Sequence, residues 1–325
     1  MEKARFKWVL RERNRKIAAK TEVFTEQQAR RVRSFHSSFK EYSPTPLIEL
    51  TSLAQHLGIK NLFVKDESYR FGLNAFKVLG GSFAIGSYIA NELGEDIDDL
   101  PYMRLVSDEV RSLLGSKTFI TTTDGNHGRG VAWTANRLKQ QAIVYMPQGS
   151  AAERLANIRA EGAQAEITDM NYDDTVRYTS ELAQKNGWII VQDTAWDGYT
   201  RIPLWIMQGY MTMALEAYEQ LPVKPTHIFL QAGVGSLAGS VQGFFADIYG
   251  SSCPLTFIVE PKGADCLYQT AAANDGSLHS VTGRLETIMA GLACGEPNSI
   301  AWEILGNLSD GFILSLIHIS EPTRH

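Results

Sequence analysis

The segment Arg70-Phe71-Gly72-Leu73-Asn74-Ala75-Phe76-Lys77-Val78-Leu79-Gly80-Gly81 constrains this chain more than any other. It sets one lysine among apolar neighbours, ahead of a glycine pair and an amphipathic run over 82–93 that reads as a helix. Lys77 is therefore expected at a strand-to-helix junction in dry surroundings. A free lysine has a pKa of ~10.4, so a neutral amine at pH 7 costs roughly 4 to 5 kcal/mol. Burial beside Phe76, Val78 and Leu79 is the simplest way to lower that cost and free the amine as a nucleophile. The ordinary alternative is a lysine whose stem covers apolar surface while its ammonium reaches water. The choice between the two rests on loops farther along the chain.

Those loops sit in an alternating pattern. After a helical segment at 25–39 and an extended Ser43-Pro44-Thr45-Pro46-Leu47 stretch, 62–65 reads as a first short strand and 96–117 as a polar, helix-prone insertion. Strands at 118–122, 142–146, 165–168 and 188–192 then alternate with helices at 128–138, 151–162 and 172–186. A helix at 203–221, a strand at 227–231, a helix ending at Tyr249 and a strand at 255–260 repeat the pattern. Such alternation predicts an α/β protein with two parallel-sheet domains and covering helices. The change of domain falls near 196–201, with no linker to mark it. With 325 residues, 44% hydrophobic and 21% charged, the chain can bury a sizeable core. A net charge of −5 gives no general attraction to nucleic acid or anionic membrane, and no apolar run approaches a membrane span. The basic N-terminus, from Lys3 to Lys20, reads as a solvated arm or edge segment rather than a targeting peptide. Three cysteines without CxxC spacing argue against a disulfide framework or a zinc site and suit reduced thiols in a cytoplasm, and no metal is expected.

Two loops carry chemistry. Gln231-Ala232-Gly233-Val234-Gly235-Ser236-Leu237-Ala238-Gly239 follows a strand and opens a helix, where successive N–H groups and the helix dipole suit a phosphate. The loop also fits a dinucleotide fingerprint, as Gly233-x-Gly235-x-x-Ala238, and the next strand ends in Glu260, where a ribose-binding acid would sit. The second loop, from Thr121 through Thr122, Thr123, Asp124, Gly125, Asn126 and His127 to Gly128, is dense in small hydrogen-bonding groups. It suits a substrate carboxylate, and Asn126 can bond a phenolic oxygen on a flat ring. A dry lysine, a carboxylate loop and a phosphate loop together point to pyridoxal 5'-phosphate. A nicotinamide-dependent dehydrogenase using the Gly233 loop and Glu260 stays open at this point, as does a non-catalytic small-molecule binder.

From about Thr21 to Phe312 the chain resembles the fold type II pyridoxal phosphate enzymes, relatives of tryptophan synthase β, and within them the ammonia-lyases that act on 2,3-diaminopropionate. The motifs that carry the resemblance are Lys65-Asp66-Glu67-Ser68, Arg70 to Gly81, Thr121 to Gly130, Met170 to Thr175, Gln192 to Trp196, and Ala290 to Pro297. It implies a lyase that releases ammonia from diaminopropionate by α,β-elimination, leaving pyruvate and a second ammonia, with serine and threonine dehydratases as the alternative. It implies Lys77 as the Schiff-base lysine, Asn126 on the cofactor's 3-hydroxyl, and Gly233, Val234, Gly235, Ser236 and Leu237 around its phosphate. Thr122, Thr123, Asp124, Gly125 and His127 become the substrate side. Asp124 stands where dehydratases carry a small residue, and Asp193 joins it for acid-base roles opposite Lys77. The resemblance further implies a small amino-acid substrate, a cytoplasmic homodimer, a large cofactor domain from 1–81 and 198–312, and a small substrate-side domain from 82–197. Residues 313–325 do not follow the family, so the chain is expected to stop short of a complete large domain and to expose apolar sheet and helix surface. Cys266 and Cys294 are expected to lie near each other, close enough for an optional disulfide.

Overall fold

The computed structural model describes residues 7–12, 21–283, 285, 287 and 289–315. The chain opens with an edge strand, β1 (Lys7–Leu10), and the helix α1 (Glu26–Ser37). Thr25 caps α1 through the Gln28 amide, and Ala29, Val32, Phe35 and His36 bury one face of it, the spacing an amphipathic helix needs. Next come β2 (Leu47–Glu49), α2 (Thr51–Leu57) and β3 (Phe63–Lys65), a small antiparallel pair apart from both larger sheets. The 62–65 segment is thus a strand, but it does not begin a parallel sheet. A 3-10 turn over Glu67–Gly72 leads to α3 (Lys77–Leu93). Lys77 accordingly starts a helix that follows a turn rather than a strand.

The expected insertion is two short helices, α4 (Tyr102–Leu105) and α5 (Asp108–Leu114). Then β4 (Thr118–Thr122), α6 (Asn126–Arg137), β5 (Gln141–Met146), α7 (Ala152–Ala160), β6 (Gln164–Ile167), α8 (Tyr172–Asn186) and β7 (Ile189–Ile190) form a parallel sheet in the order β6-β5-β4-β7. The long helix α9 (Arg201–Gln220) leads to β8 (His227–Gln231), α10 (Ser236–Tyr249), β9 (Leu255–Pro261), α11 (Cys266–Ala273), α12 (Ser299–Leu308) and β10 (Gly311–Ser315). Strands β8, β9 and β10 run parallel, and β1 closes their sheet antiparallel to β10. The family resemblance ends near Phe312, yet Ile313 to Ser315 continue this strand in register with Val259 to Pro261. Residues 316–325 lie outside the described residues.

Glycines let three helices cross where the two layers meet. A Cβ on Gly80 would lie 2.6 Å from the Tyr210 ring, and one on Gly130 would lie 2.9 Å from Val78 Cα. One on Gly209 would strike the Leu79 carbonyl. The Gly80-Gly81 pair therefore interrupts nothing: it lies inside α3, where α9 leaves no room for a Cβ on Gly80 and the α6 backbone packs within 3.4 Å of where one on Gly81 would lie. Both larger sheets aim the C-terminal ends of their parallel strands at the loops the sequence singled out, the place where open α/β sheets bind ligands. Among the described residues no helix is long and apolar enough to cross a membrane, and no cluster of His, Cys, Asp and Glu could hold a metal ion.

Candidate active site

Lys77 begins α3 with its amine near the rings of Phe76 and Tyr210, 5.6 Å and 5.9 Å from their centroids. Its ammonium donates to Asp193 Oδ2. Burial pulls the pKa of this amine down, but the Asp193 charge dominates and holds it well above the ordinary lysine value. The expected lowering by apolar neighbours is thus reversed, because the lysine has a buried carboxylate as partner. Burial would raise the pKa of Asp193, yet the Lys77 charge brings it down to about 2.

His127, 4% exposed, sits behind this pair. Its Nε2 donates to the Val191 carbonyl at 2.7 Å, which leaves Nδ1 as an acceptor 4.0 Å from Asp193 Oδ2 with no hydrogen-bond partner among the described residues. Burial lowers its pKa, so the ring is neutral. The ring of His127, expected on the substrate side, stands with Nδ1 toward Asp193.

The carboxylate loop links the end of β4 to the start of α6. Within it, Thr122 Oγ1 pairs with Thr179 at 2.7 Å and the Thr175 carbonyl at 3.2 Å, facing α8. Thr123 Oγ1 accepts the Gly125 amide at 2.9 Å. Both hydroxyls help hold the loop, yet that of Thr123 keeps its proton to donate, and α6 starts without a side-chain cap. Asn126 opens α6 with an exposed side chain. Asp124 Oδ2 accepts from Arg154 Nη1 at 3.0 Å; burial raises its pKa and Arg154 and Lys77 oppose that rise. Gln192 braces the loop from the side, accepting the Thr121 hydroxyl at 2.9 Å and the Thr122 amide at 3.0 Å while donating to Tyr172 Oη at 2.9 Å.

The glycine loop joins β8 to α10. Gly235, with φ of 101°, is the N-cap of α10 and supplies no side-chain cap, so the first amides of the helix are left for another acceptor. Ser236 Oγ donates to the Asp193 carbonyl and accepts from Asn298 Nδ2 at 2.8 Å, tying the loop to the lysine's partner. Gly233 lies between two free thiols: Cys266 Sγ is 3.7 Å from its carbonyl, and Cys294 Sγ would be 3.3 Å from a Cβ there. The two cysteines are thus brought to one place, unbridged, with burial pushing the Cys294 thiol up to about 12. Glu260 takes another part than the ribose acid of a dinucleotide site. Its buried carboxylate accepts the Leu267 and Tyr268 amides at 2.9 and 2.6 Å and so caps α11. Arg154, Tyr172, Gln192, Tyr210 and Asn298 received no role from the sequence; Tyr172 and Gln192 stand inside quoted motifs, but nothing local marks the others.

An amine beside an orphaned buried imidazole nitrogen, with an uncapped helix start nearby, fits a ring-bearing phosphate ester bonded to Lys77. The chain belongs to the pyridoxal-phosphate dependent enzymes, whose family model matches residues 39–317. Within them it groups with the diaminopropionate ammonia-lyases. It is 53% identical over 286 residues to that of Salmonella typhimurium, covering 87% of this chain and 71% of the relative. It is 52% identical over 295 residues to that of Escherichia coli, covering 90% and 72%. The holo crystal structure of the Escherichia coli lyase superposes with a TM-score of 0.86 at 49% identity, covering 95% of this chain and 77% of that one. The same lyase in complex with an aminoacrylate-PLP azomethine reaction intermediate gives a TM-score of 0.85 at 48% identity, covering 96% and 77%. Threonine deaminase isoform 2 of Solanum lycopersicum, 21% identical with a TM-score of 0.74, shares the fold.

Proposed function

We propose that this chain eliminates ammonia from 2,3-diaminopropionate, giving pyruvate and two ammonia with the uptake of one water. The single observation that carries the reading is the set Lys77, Asp193, Asp124 and Arg154, in which Lys77 pairs with Asp193 and Arg154 with Asp124. A bound pyridoxal phosphate supplies an electron sink for the pair released at the substrate Cα. Lys77 is the group that holds it and, once freed, takes or returns the Cα proton on its own side. Asp193 keeps Lys77 in place and neutralises its charge. Asp124 is the acid-base group toward the β-amine, which leaves its carbon readily only when protonated. The uncapped start of α6, at the end of the Thr122 to Gly125 loop, binds the substrate carboxylate, and the amides from Gly233 to Leu237 bind the phosphate. Asn126 orients the ring. In this assignment the unit built on β4 to β7 carries the substrate, and the unit built on β8 to β10 with α3 carries the cofactor.

The reading extends to a homodimer in the cytoplasm. Three free thiols suit a reducing compartment. The paired row Leu10, Gly311, Phe257 and Phe229, with Leu10 67% and Phe229 61% exposed, is apolar surface of the kind that protein partners cover. Incubation of the cofactor-loaded protein with diaminopropionate is expected to release ammonia and pyruvate in a two-to-one ratio; ammonia without pyruvate would refute the reaction.

A further inference from the structure

Arg154 is the third residue of α7, where no role was expected of it. Its Nη1 donates to both the Asp124 carboxylate and the Asp124 carbonyl, each at 3.0 Å. Its stem runs along Gly125, so that a Cβ there would meet Arg154 Cδ at 3.1 Å. One side chain thus fixes both the backbone and the carboxylate of the residue assigned to the β-amine. It engages Oδ2 of that carboxylate.

We propose that Arg154 is a positioning residue that determines specificity: it clamps the Asp124 carboxylate, and so selects a cationic β-amine over a neutral β-hydroxyl on the substrate. The inference rests on the functional reading above. A hydroxyl-bearing amino acid is the natural competitor, since the Escherichia coli relative has been crystallised in complex with D-serine. The charged and titratable groups that bear on Asp124 are Arg154 on α7, Lys77 on α3, His127 on α6, Tyr172 on α8, Asp193 after β7, and Cys294. Burial and Asp193 favour the neutral carboxyl, while Arg154 is the larger of the two cations opposing them. Without Arg154 the carboxyl loses a charge partner, becomes neutral at a higher pH, and ceases to distinguish an ammonium from a hydroxyl.

The test compares the wild-type holoenzyme with Arg154→Gln and Arg154→Lys. For each, kcat/KM for pyruvate release is measured from diaminopropionate and from serine across pH. In Arg154→Gln the preference for diaminopropionate is expected to fall about 10-fold or more, the worth of one charge-assisted hydrogen bond. Its acid limb is expected to move to higher pH, and Arg154→Lys to recover most of the preference. Equal loss on both substrates with an unmoved limb is the signature of a merely structural contact and would overturn the proposal. A carbon-13 NMR titration of the Asp124 carboxyl, assigned by its loss in Asp124→Asn, reads the clamp without turnover. A higher midpoint in Arg154→Gln supports it, and equal midpoints overturn it. A wild-type chain that releases pyruvate from neither substrate would refute the reaction instead, and the titration would still decide the clamp.

Discussion

Replacing Arg70 by methionine should cost about 3 kcal/mol of stability. Arg70 is fully buried and donates to Glu67 at 2.8 Å through Nε and Nη2, and to Glu216 at 2.8 Å and 2.7 Å through Nη1 and Nη2. It also reaches Thr45 Oγ1 at 3.0 Å. With ~4 Å between charge centres and an effective dielectric of ~20, each carboxylate gains roughly 4 kcal/mol from the guanidinium. Methionine fills much of the volume but strands two desolvated carboxylates, and breaking such a set costs ~3 to 5 kcal/mol. Lys65, 2.8 Å from Glu216, remains as a partner and holds the loss to the lower end. That is a large share of the ~5 to 15 kcal/mol that keeps a domain folded.

The assay is urea unfolding, with a midpoint shift of roughly 1 M expected. Glu216→Gln completes a double-mutant cycle in which the pair should lose less than the sum of the singles. The pH dependence follows from Glu216. Burial raises its pKa, but Arg70 and Lys65 bring it to about 2, so its stabilisation is present above the unfolded value and lost as pH falls through about 2. The deficit of the variant should therefore be full at neutral pH and shrink below the unfolded carboxylate pKa of ~4.3. A loss under ~1 kcal/mol at pH 7, or additive singles, would refute the argument that these are coupled buried charges.

Two further outcomes follow from the site. Asp124→Asn should depress elimination far more than cofactor binding, measured as pyruvate release against cofactor absorbance; equal loss of both would make the residue a loop support. Asp193→Asn removes the charge that raises the Lys77 amine, so in the cofactor-free protein Lys77 should react faster with an amine-directed reagent at pH 8. Unchanged labelling would show that Asp193 does not control this lysine.

Local signals in the sequence carried much of this structure. Asn171 capping Asp174 at 2.9 Å and Gly187 at φ of 66° make α8 run over the expected 172–186, and β8 matches 227–231 for the same reason, an apolar run between turn residues. What could not be read is nonlocal. The glycine pair in α3 looks like a break until Tyr210 and Ile206 are placed against it. Within the basic N-terminus, Lys7 to Leu10 form an edge strand because β10, some 300 residues on, is there to receive them. Lys77 stood out in the sequence as a lysine in dry surroundings, but its charge state did not, since Asp193 meets it only through the fold. The same holds for Arg154, whose partner lies 30 residues away. Thr122 and Thr123 show the converse. Their residue type suggests ligand hydroxyls, yet packing beside α8 engages that of Thr122, and that of Thr123 accepts the Gly125 amide.

The central claim is that Lys77 carries pyridoxal phosphate. Borohydride reduction of the cofactor-loaded protein, followed by mass mapping of its peptides, tests it most directly. The visible cofactor band should bleach and a phosphopyridoxyl group should remain on the peptide containing Lys77, with Lys77→Ala showing neither the adduct nor pyruvate release. An adduct on a different lysine, or wild-type turnover in Lys77→Ala, would contradict the account.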